Sequence, residues 1–315
     1  MYQNVYQNTA SPVTLLESEA FSMTRKMKNN IAGWLYVLPS FLLLITFFII
    51  PICRSFYYSL TDYSVLSSPV FCGFKNYVTA LKDSFVQASL KNTCIYVLVT
   101  VPMQTILSMI IAAVIAMKFQ NKYGRFVKAC LFIPVISSSV LVGTLFTLLF
   151  TTDGGVINTV LSVFGIGPVN WLGQSSTALI TVCIAAIWKN VGYFLVIFYA
   201  GLMDIPTSLY EAAQVDGASK IQQFFAITLP CLKPITYLVV TLGIIWSFQS
   251  FDIVYAMTKG GPGQSTYTLV YTIYNAAFRE YRMGYACAVA VILFILILIV
   301  NNIQKFFLGD KKEEA

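Results

Sequence analysis

Six stretches of this 315-residue chain stay apolar for about as long as a helix needs to cross a bilayer. A hydrocarbon core of roughly 30 Å is spanned by about 20 residues rising about 1.5 Å each. The runs are 34–53, 93–117, 129–150, 177–203, 234 to about 251, and 284–303. None alternates polar with apolar residues, so helices are expected rather than barrel strands. Only 10% of the residues are charged and 57% are hydrophobic, whereas soluble domains carry roughly 25% charge. A chain so poor in charge cannot cover a water-facing surface. The expected fold is all-α, a polytopic membrane protein of six transmembrane helices.

The basic residues give the expected orientation. Twelve lie in the N-terminal tail, the connections 118–128 and 204–233, and the C-terminal tail; seven lie on the opposite side, and Lys189 is within the fourth run. Excess Lys and Arg marks the cytoplasmic side, so both termini are expected there. The segment 204–233 has only Lys220 and Lys233 against Asp204, Glu211 and Asp216, so its side follows from alternation of six spans and not from its own charge. The net charge of +7 gathers at the ends of apolar runs, a sign of headgroup contact and not of nucleic-acid binding. A secretory signal is not expected, because the first apolar run starts late and lacks a small-residue cleavage pattern. Of the outward connections, the Gly-rich 151–176 reads as a structured turn or a short re-entrant piece.

Chemistry is narrowed further by absences in composition. Without a single histidine, histidine acid–base catalysis and histidine metal ligation are excluded. The seven cysteines show no CxxC spacing and read as small hydrophobes; Cys72, paired with Cys53, is the one candidate disulfide. No GxxxxGK[ST] loop occurs, so no nucleotide cradle is expected. Neither a catalytic constellation nor a metal or cofactor site is expected.

Between the fourth and fifth runs lies a polar insert, EAAQVDGASKIQQFFAITLP from Glu211 to Pro230. Ser208 with Glu211 and Ser219 with Gln222 both fit capping boxes, and Asp216–Gly217 is a turn signal. The segment therefore reads as a helix from about 209 to 215, a turn, and a second helix from about 220 to 227 that stops before Pro230. Leu209, Ala212, Ala213 and Asp216 share a helical face that is able to dock in a groove. On the residues alone, an amphipathic connector lying at the lipid interface fits equally.

Lys189 is costly at the centre of a span, by about 2.5–3.5 kcal/mol on insertion scales, unless it faces a polar cavity or a partner. Asn190 and Tyr193 share its helical face. On the fifth run Trp246, Ser247, Gln249 and Ser250 form a second polar and aromatic patch at similar depth. Aromatic faces with short polar donors suit a sugar ring, which needs stacking on its C–H face and hydrogen bonds to its hydroxyls. The competing account is that these polar groups only join helices to one another.

The residues Glu211-Ala212-Ala213, then Gly217, Ile227, Leu229 and Pro230, resemble the EAA signature of permease subunits in bacterial ATP-binding-cassette importers. Phe71, Gly73, Asn76 and Tyr77, the Gly260-Gly261-Pro262 turn and the Met283-Gly284-Tyr285-Ala286 opening of the sixth run resemble the sugar-type branch, specifically the first permease of the maltose and glycerol-3-phosphate type. The resemblance covers about residues 30–307 and lacks the extra N-terminal spans of the maltose protein. It implies a type I importer transmembrane fold: a cytoplasmic tail 1–30, a permease domain 31–307 with coupling segment 207–230, and a tail 308–315. It also implies a non-catalytic subunit in the cell membrane, paired with a second permease, two ATPase subunits and an extracytoplasmic solute-binding protein that delivers a sugar or oligosaccharide. Glu211, Ala212, Ala213, Asp216 and Gly217 would then dock on the ATPase. Asn190, Tyr193, Trp246, Ser247 and Ser250 would line the sugar path, with Lys189 as an addition of this chain. Glycerol phosphate or another small polar solute is the alternative cargo. An ion-coupled secondary transporter, and more remotely a membrane-embedded enzyme, are the alternatives of other classes; the first lacks a buried acid in its spans.

Overall fold

The computed structural model describes residues 33–118 and 122–308. The tail 1–30 and nearly all of the tail 308–315 fall outside them, with the charge readings that rest on those tails. The chain divides into two units between Tyr57 and Tyr58. The described part of the first unit lies within the helix α1, Gly33–Ser59, which is widened by a π turn at Ile45–Ile49 and ends in the second unit. Its apolar side chains, such as Trp34, Phe47 and Phe48, are exposed along its length.

The second unit opens with an antiparallel hairpin of β1, Thr61–Ser64, and β2, Ser67–Phe71, in which Thr61 faces Phe71. This small hairpin is an addition to the all-α expectation. Asn76 locks it in place by donating to the carbonyls of Ser59 and Thr61 at 3.0 and 2.8 Å. Helices α2, Lys75–Lys82, and α3, Ser84–Lys118, follow. At 35 residues α3 is longer than the expected 93–117, because its first turns stand beyond the apolar run. It runs beside all three buried clusters, contributing Val97 and Val101 to the first, Tyr96 to the second and Ala112, Ala113 and Ala116 to the third.

The expected continuous span 129–150 is instead two helices, α4, Lys122–Ile136, and α5, Ser139–Leu149, bent by 100°. Local chemistry explains the correction. Pro134 lies within α4 and brings no amide, which removes a rung of the helix ladder. Ser137 then turns its hydroxyl back to the Ile133 carbonyl at 3.1 Å, and Ser138 is extended at the start of α5. Hydropathy does not register such competition between side chain and backbone. The connection 151–176 is structured, as expected, around a short helix α6, Val156–Val163. Its organiser is Asn158, whose Nδ2 donates to Thr152 and Val169 carbonyls while its Oδ1 accepts from the Trp171 indole at 2.9 Å.

Helix α7, Ala178–Met203, packs against α3 over most of its length. Small residues on one helix face large ones on the other, Ala112 and Ala113 being grouped with Phe194, Leu195 and Phe198, which is how membrane helices approach closely. The polar insert follows as α8, Thr207–Val215, and α9, Lys220–Cys231. Then α10, Lys233–Phe248, departs at 67° from α9, the break falling at Leu232 just before Pro234. The fifth span thus ends at Phe248 and not at about 251. Two short helices, α11, Asp252–Met257, and α12, Leu269–Tyr274, lead by a π turn at Asn275–Arg279 to the last span, α13, Met283–Leu308. Among the described residues, four helices are long and apolar enough to cross a membrane, or up to six if each bent pair counts as one span.

Candidate functional site

The sequence patches around Lys189 and Trp246 come together in one cavity of about 280 Å³. Its walls include Lys189, Asn190 and Tyr193 from α7, and Trp246, Ser247 and Ser250 from α10 and the residues after it. The cavity also takes Tyr96 from α3, Ser139 from α5, and Phe251 and Asp252 at the start of α11. Those four are missed by a reading confined to single apolar runs. Of them only Asp252 carries a local signal, as an acid at the very end of a span.

The six expected residues are not equivalent within it. Ser247 is buried and shares a hydrogen bond of 3.0 Å with Thr100, and Ser250 donates to the Tyr96 hydroxyl at 3.0 Å. Both serines therefore join α10 to α3, as polar groups between membrane helices do. Asn190 donates to Oε1 of Gln104, a fully buried amide, at 3.4 Å. Trp246 is 38% exposed and stands against Tyr193 with ring centroids 4.9 Å apart. The open aromatic surface is thus supplied by Trp246 and Tyr193.

Lys189 donates from Nζ to the Val135 carbonyl at 3.3 Å. That carbonyl belongs to the last turn of α4, beside the break, where a cation also complements the negative end of the helix dipole. The break in the third span and the lysine in the fourth are one feature, since the cation caps the helix end at that break. Asp252 lines the same cavity, so the lysine is not the sole charge there. Lys189→Met is expected to lower stability by about 1.5–3 kcal/mol, the worth of a hydrogen bond to a charged group. The measurement is the melting temperature of the purified protein in detergent, and an unchanged value would rule out the capping role.

The polar insert is built as a rigid corner. Asp216 N–H and Ala218 N–H donate to the carbonyls of Ala212 and Ala213, and Gly217 N–H to that of Gln214. With Gly217 at φ +77°, this is a Schellman end to α8. The second expected capping box is present: Ser219 Oγ accepts from Gln222 N–H at 3.3 Å, and Gln222 Oε1 accepts from Ser219 N–H at 2.7 Å. The first is not. Helix α8 begins at Thr207 with Pro206 as its cap, so Ser208 already lies inside the first turn. The expected stop before Pro230 is also corrected: a π turn at Phe224–Thr228 carries α9 through the proline to Cys231.

A shared hydrogen bond of 2.8 Å between the Tyr210 and Thr228 hydroxyls ties α8 to α9. Tyr210, Ile205, Phe224 and Ile227 pack into the cluster formed by α3, α7 and Leu232. Glu211, Ala212, Asp216 and Gly217 remain exposed, with Ala213 partly so. Val215 and Ile221, 88% and 72% exposed, add apolar surface beside them. Cys53 and Cys72, the candidate pair, are both free thiols.

A family model described as binding-protein-dependent transport system inner membrane component matches residues 78–310. A probable ABC transporter permease of Bacillus subtilis, YurN, is 34% identical over 290 residues, covering 91% of this chain and 99% of the relative. The trehalose/maltose transport system permease MalF of Thermococcus litoralis is 32% identical over 283 residues, covering 88% and 94%. Among solved structures, a chain of the bacterial alginate ABC transporter, in complex with alginate pentasaccharide-bound periplasmic protein, superposes with TM-score 0.78. It covers 90% of this chain and 96% of its own length at 22% identity, a likeness of fold. The ion-coupled and enzyme alternatives are thereby set aside. The chain belongs to the binding-protein-dependent transport system inner membrane components, the non-catalytic permease subunits of ABC importers.

Proposed function

We propose that this permease imports a sugar or oligosaccharide, handed over by an extracytoplasmic binding protein. In the assembled importer it pairs with a second permease above two ATPase subunits, with both termini in the cytoplasm. The observation that carries the cargo reading is the open Trp246–Tyr193 surface beside Asn190 in a cavity between helices. An aromatic face takes the C–H side of a pyranose while short amides and hydroxyls meet its rim. The relative named for trehalose and maltose adds support. With one acid, Asp252, and one base, Lys189, lining the same cavity, a neutral sugar fits better than glycerol phosphate.

Glu211, Ala212, Ala213, Asp216 and Gly217 dock in a cleft of the ATPase. Because α8 and α9 pack on α7 and join α10 directly, movement of the ATPases reaches the two helices that carry Lys189, Asn190, Tyr193 and Trp246. The test is reconstitution of both permeases, the ATPases and the binding protein in proteoliposomes. Uptake of labelled oligosaccharide is expected only with ATP inside and binding protein outside; uptake of glycerol phosphate but of no sugar would overturn the cargo assignment.

A further inference from the structure

Phe251 lines the cavity and is also the innermost ring of an aromatic ladder that leads away from it. Its ring lies 5.4 Å from Tyr255, stacked, and 4.9 Å from Tyr274. Tyr255 and Tyr274 meet edge to face at 5.9 Å, and Tyr274 continues to Phe278 at 5.5 Å. The spacing explains the alignment: 251 and 255 are one turn apart at α11, as are 274 and 278 at the end of α12. Two helical faces thus bring their rings together.

Core packing accounts for only part of this group. Tyr271, beneath the ladder, is 1% exposed and belongs to the core, whereas Tyr255 and Tyr274 are half-buried and Phe278 is 62% exposed. Of the ladder's rings, only the outermost, Phe278, is fully open. Arg279 is exposed and interacts with the phenols, by a hydrogen bond to Tyr255 and by charge alone with Tyr271 and Tyr274. The ladder lies at the far end of α10 from the insert that carries Glu211, on the side from which an importer receives its cargo.

Size supplies the second argument. A cavity of about 280 Å³ is at the lower edge of the roughly 300–1,000 Å³ typical of small-molecule sites. An oligosaccharide of several units overfills it, and its outer units need another surface. We propose that Tyr255, Tyr274 and Phe278, with Arg279, form an accessory sugar subsite that holds the units of an oligosaccharide trailing outside the cavity. Stacking on the rings is tolerant of sugar identity, and Arg279 with the phenols meets the hydroxyls. The subsite rests on the carbohydrate reading above.

The test uses the complete transporter in proteoliposomes, with its binding protein, and α-glucan and β-xylan oligomers from disaccharide to hexasaccharide. Tyr274→Ala and Phe278→Ala are expected to slow hexasaccharide uptake about tenfold while disaccharide uptake stays within about twofold, the loss of one or two aromatic contacts. Tyr274→Phe keeps the ring and is expected to restore most of the hexasaccharide rate. A loss equal at every length, or no loss, overturns the subsite while wild-type uptake upholds the carbohydrate reading. An equal loss accompanied by failure to copurify the second permease assigns the ladder to subunit contact instead. Wild-type transporter that moves no oligomer of either series overturns the carbohydrate reading and the subsite together.

Discussion

Gly217→Val is expected to stop uptake while the ATPases continue to hydrolyse ATP. Gly217 closes α8 with φ +77° and no atom within 4 Å of where a Cβ would stand. The obstacle to a side chain is therefore conformational and not spatial: an L-residue in the left-handed region costs roughly 1–2 kcal/mol, and a β-branched one more. Valine relieves that strain by unwinding the Schellman end, which re-aims α8 relative to α9 and with it Glu211 and Asp216. On the proposed docking role, a surface shifted by about an ångström is enough to cost on the order of a hundredfold in rate. Asn tolerates the left-handed region, so Gly217→Asn is expected to keep much of the uptake. The paired readout is ATP hydrolysis stimulated by binding protein and uptake from the same vesicles. Uptake at the wild-type rate in Gly217→Val would remove this corner from the coupling path.

Gly192→Leu is expected to leave no folded protein in the membrane fraction, and Gly192→Ala to fold with reduced stability. Helix α7 passes α4 so closely here that a Cβ at Gly192 would overlap the Leu131 carbonyl, with Val135 Cγ2 3.1 Å away. Backbone does not yield as a flexible side chain does. A single methyl must push α4 aside, at about 1–3 kcal/mol for overpacking. The displacement falls one turn from Val135, the residue that Lys189 holds, so the alanine variant is also expected to lose the capping bond. Thermal unfolding in detergent measures the first effect. A wild-type melting temperature for Gly192→Ala would show that α4 moves freely, against the close approach on which the cavity wall depends.

The two glycines differ in how visible their roles are along the chain. Gly217 follows Asp216 between two helical patterns, and its turn, like the Ser219–Gln222 capping box, was legible because each motif closes within a few residues. Gly192 lies beside Asn190 and Tyr193 in the fourth run, but nothing in that run says which helix passes closest to it. Its partner, Leu131, is on a different span. The same division holds in the cavity. Lys189, Asn190, Tyr193 and Trp246 stood out as polar or aromatic residues in membrane segments, whereas Tyr96 and Phe251 look like ordinary members of apolar stretches until the helices are packed. The break at Ser137–Ser138 went unread: Pro134 and three consecutive serines lie there, but the hydropathy of 129–150 continues through them.

Membrane residence, helical class and the approximate spans were determined by the sequence alone, because in hydrocarbon each segment has to satisfy its own backbone hydrogen bonds and does so within itself. The same locality made the corner at Gly217 readable. What only the tertiary structure decided is which helical faces meet. That choice gave Lys189 the Val135 carbonyl, engaged Ser247 and Ser250 with Thr100 and Tyr96, and left Trp246 and Tyr193 open. In a membrane the lipid tails are as apolar as the side chains, so no hydrophobic pattern selects those faces; close packing of small residues and a few interhelical hydrogen bonds select them.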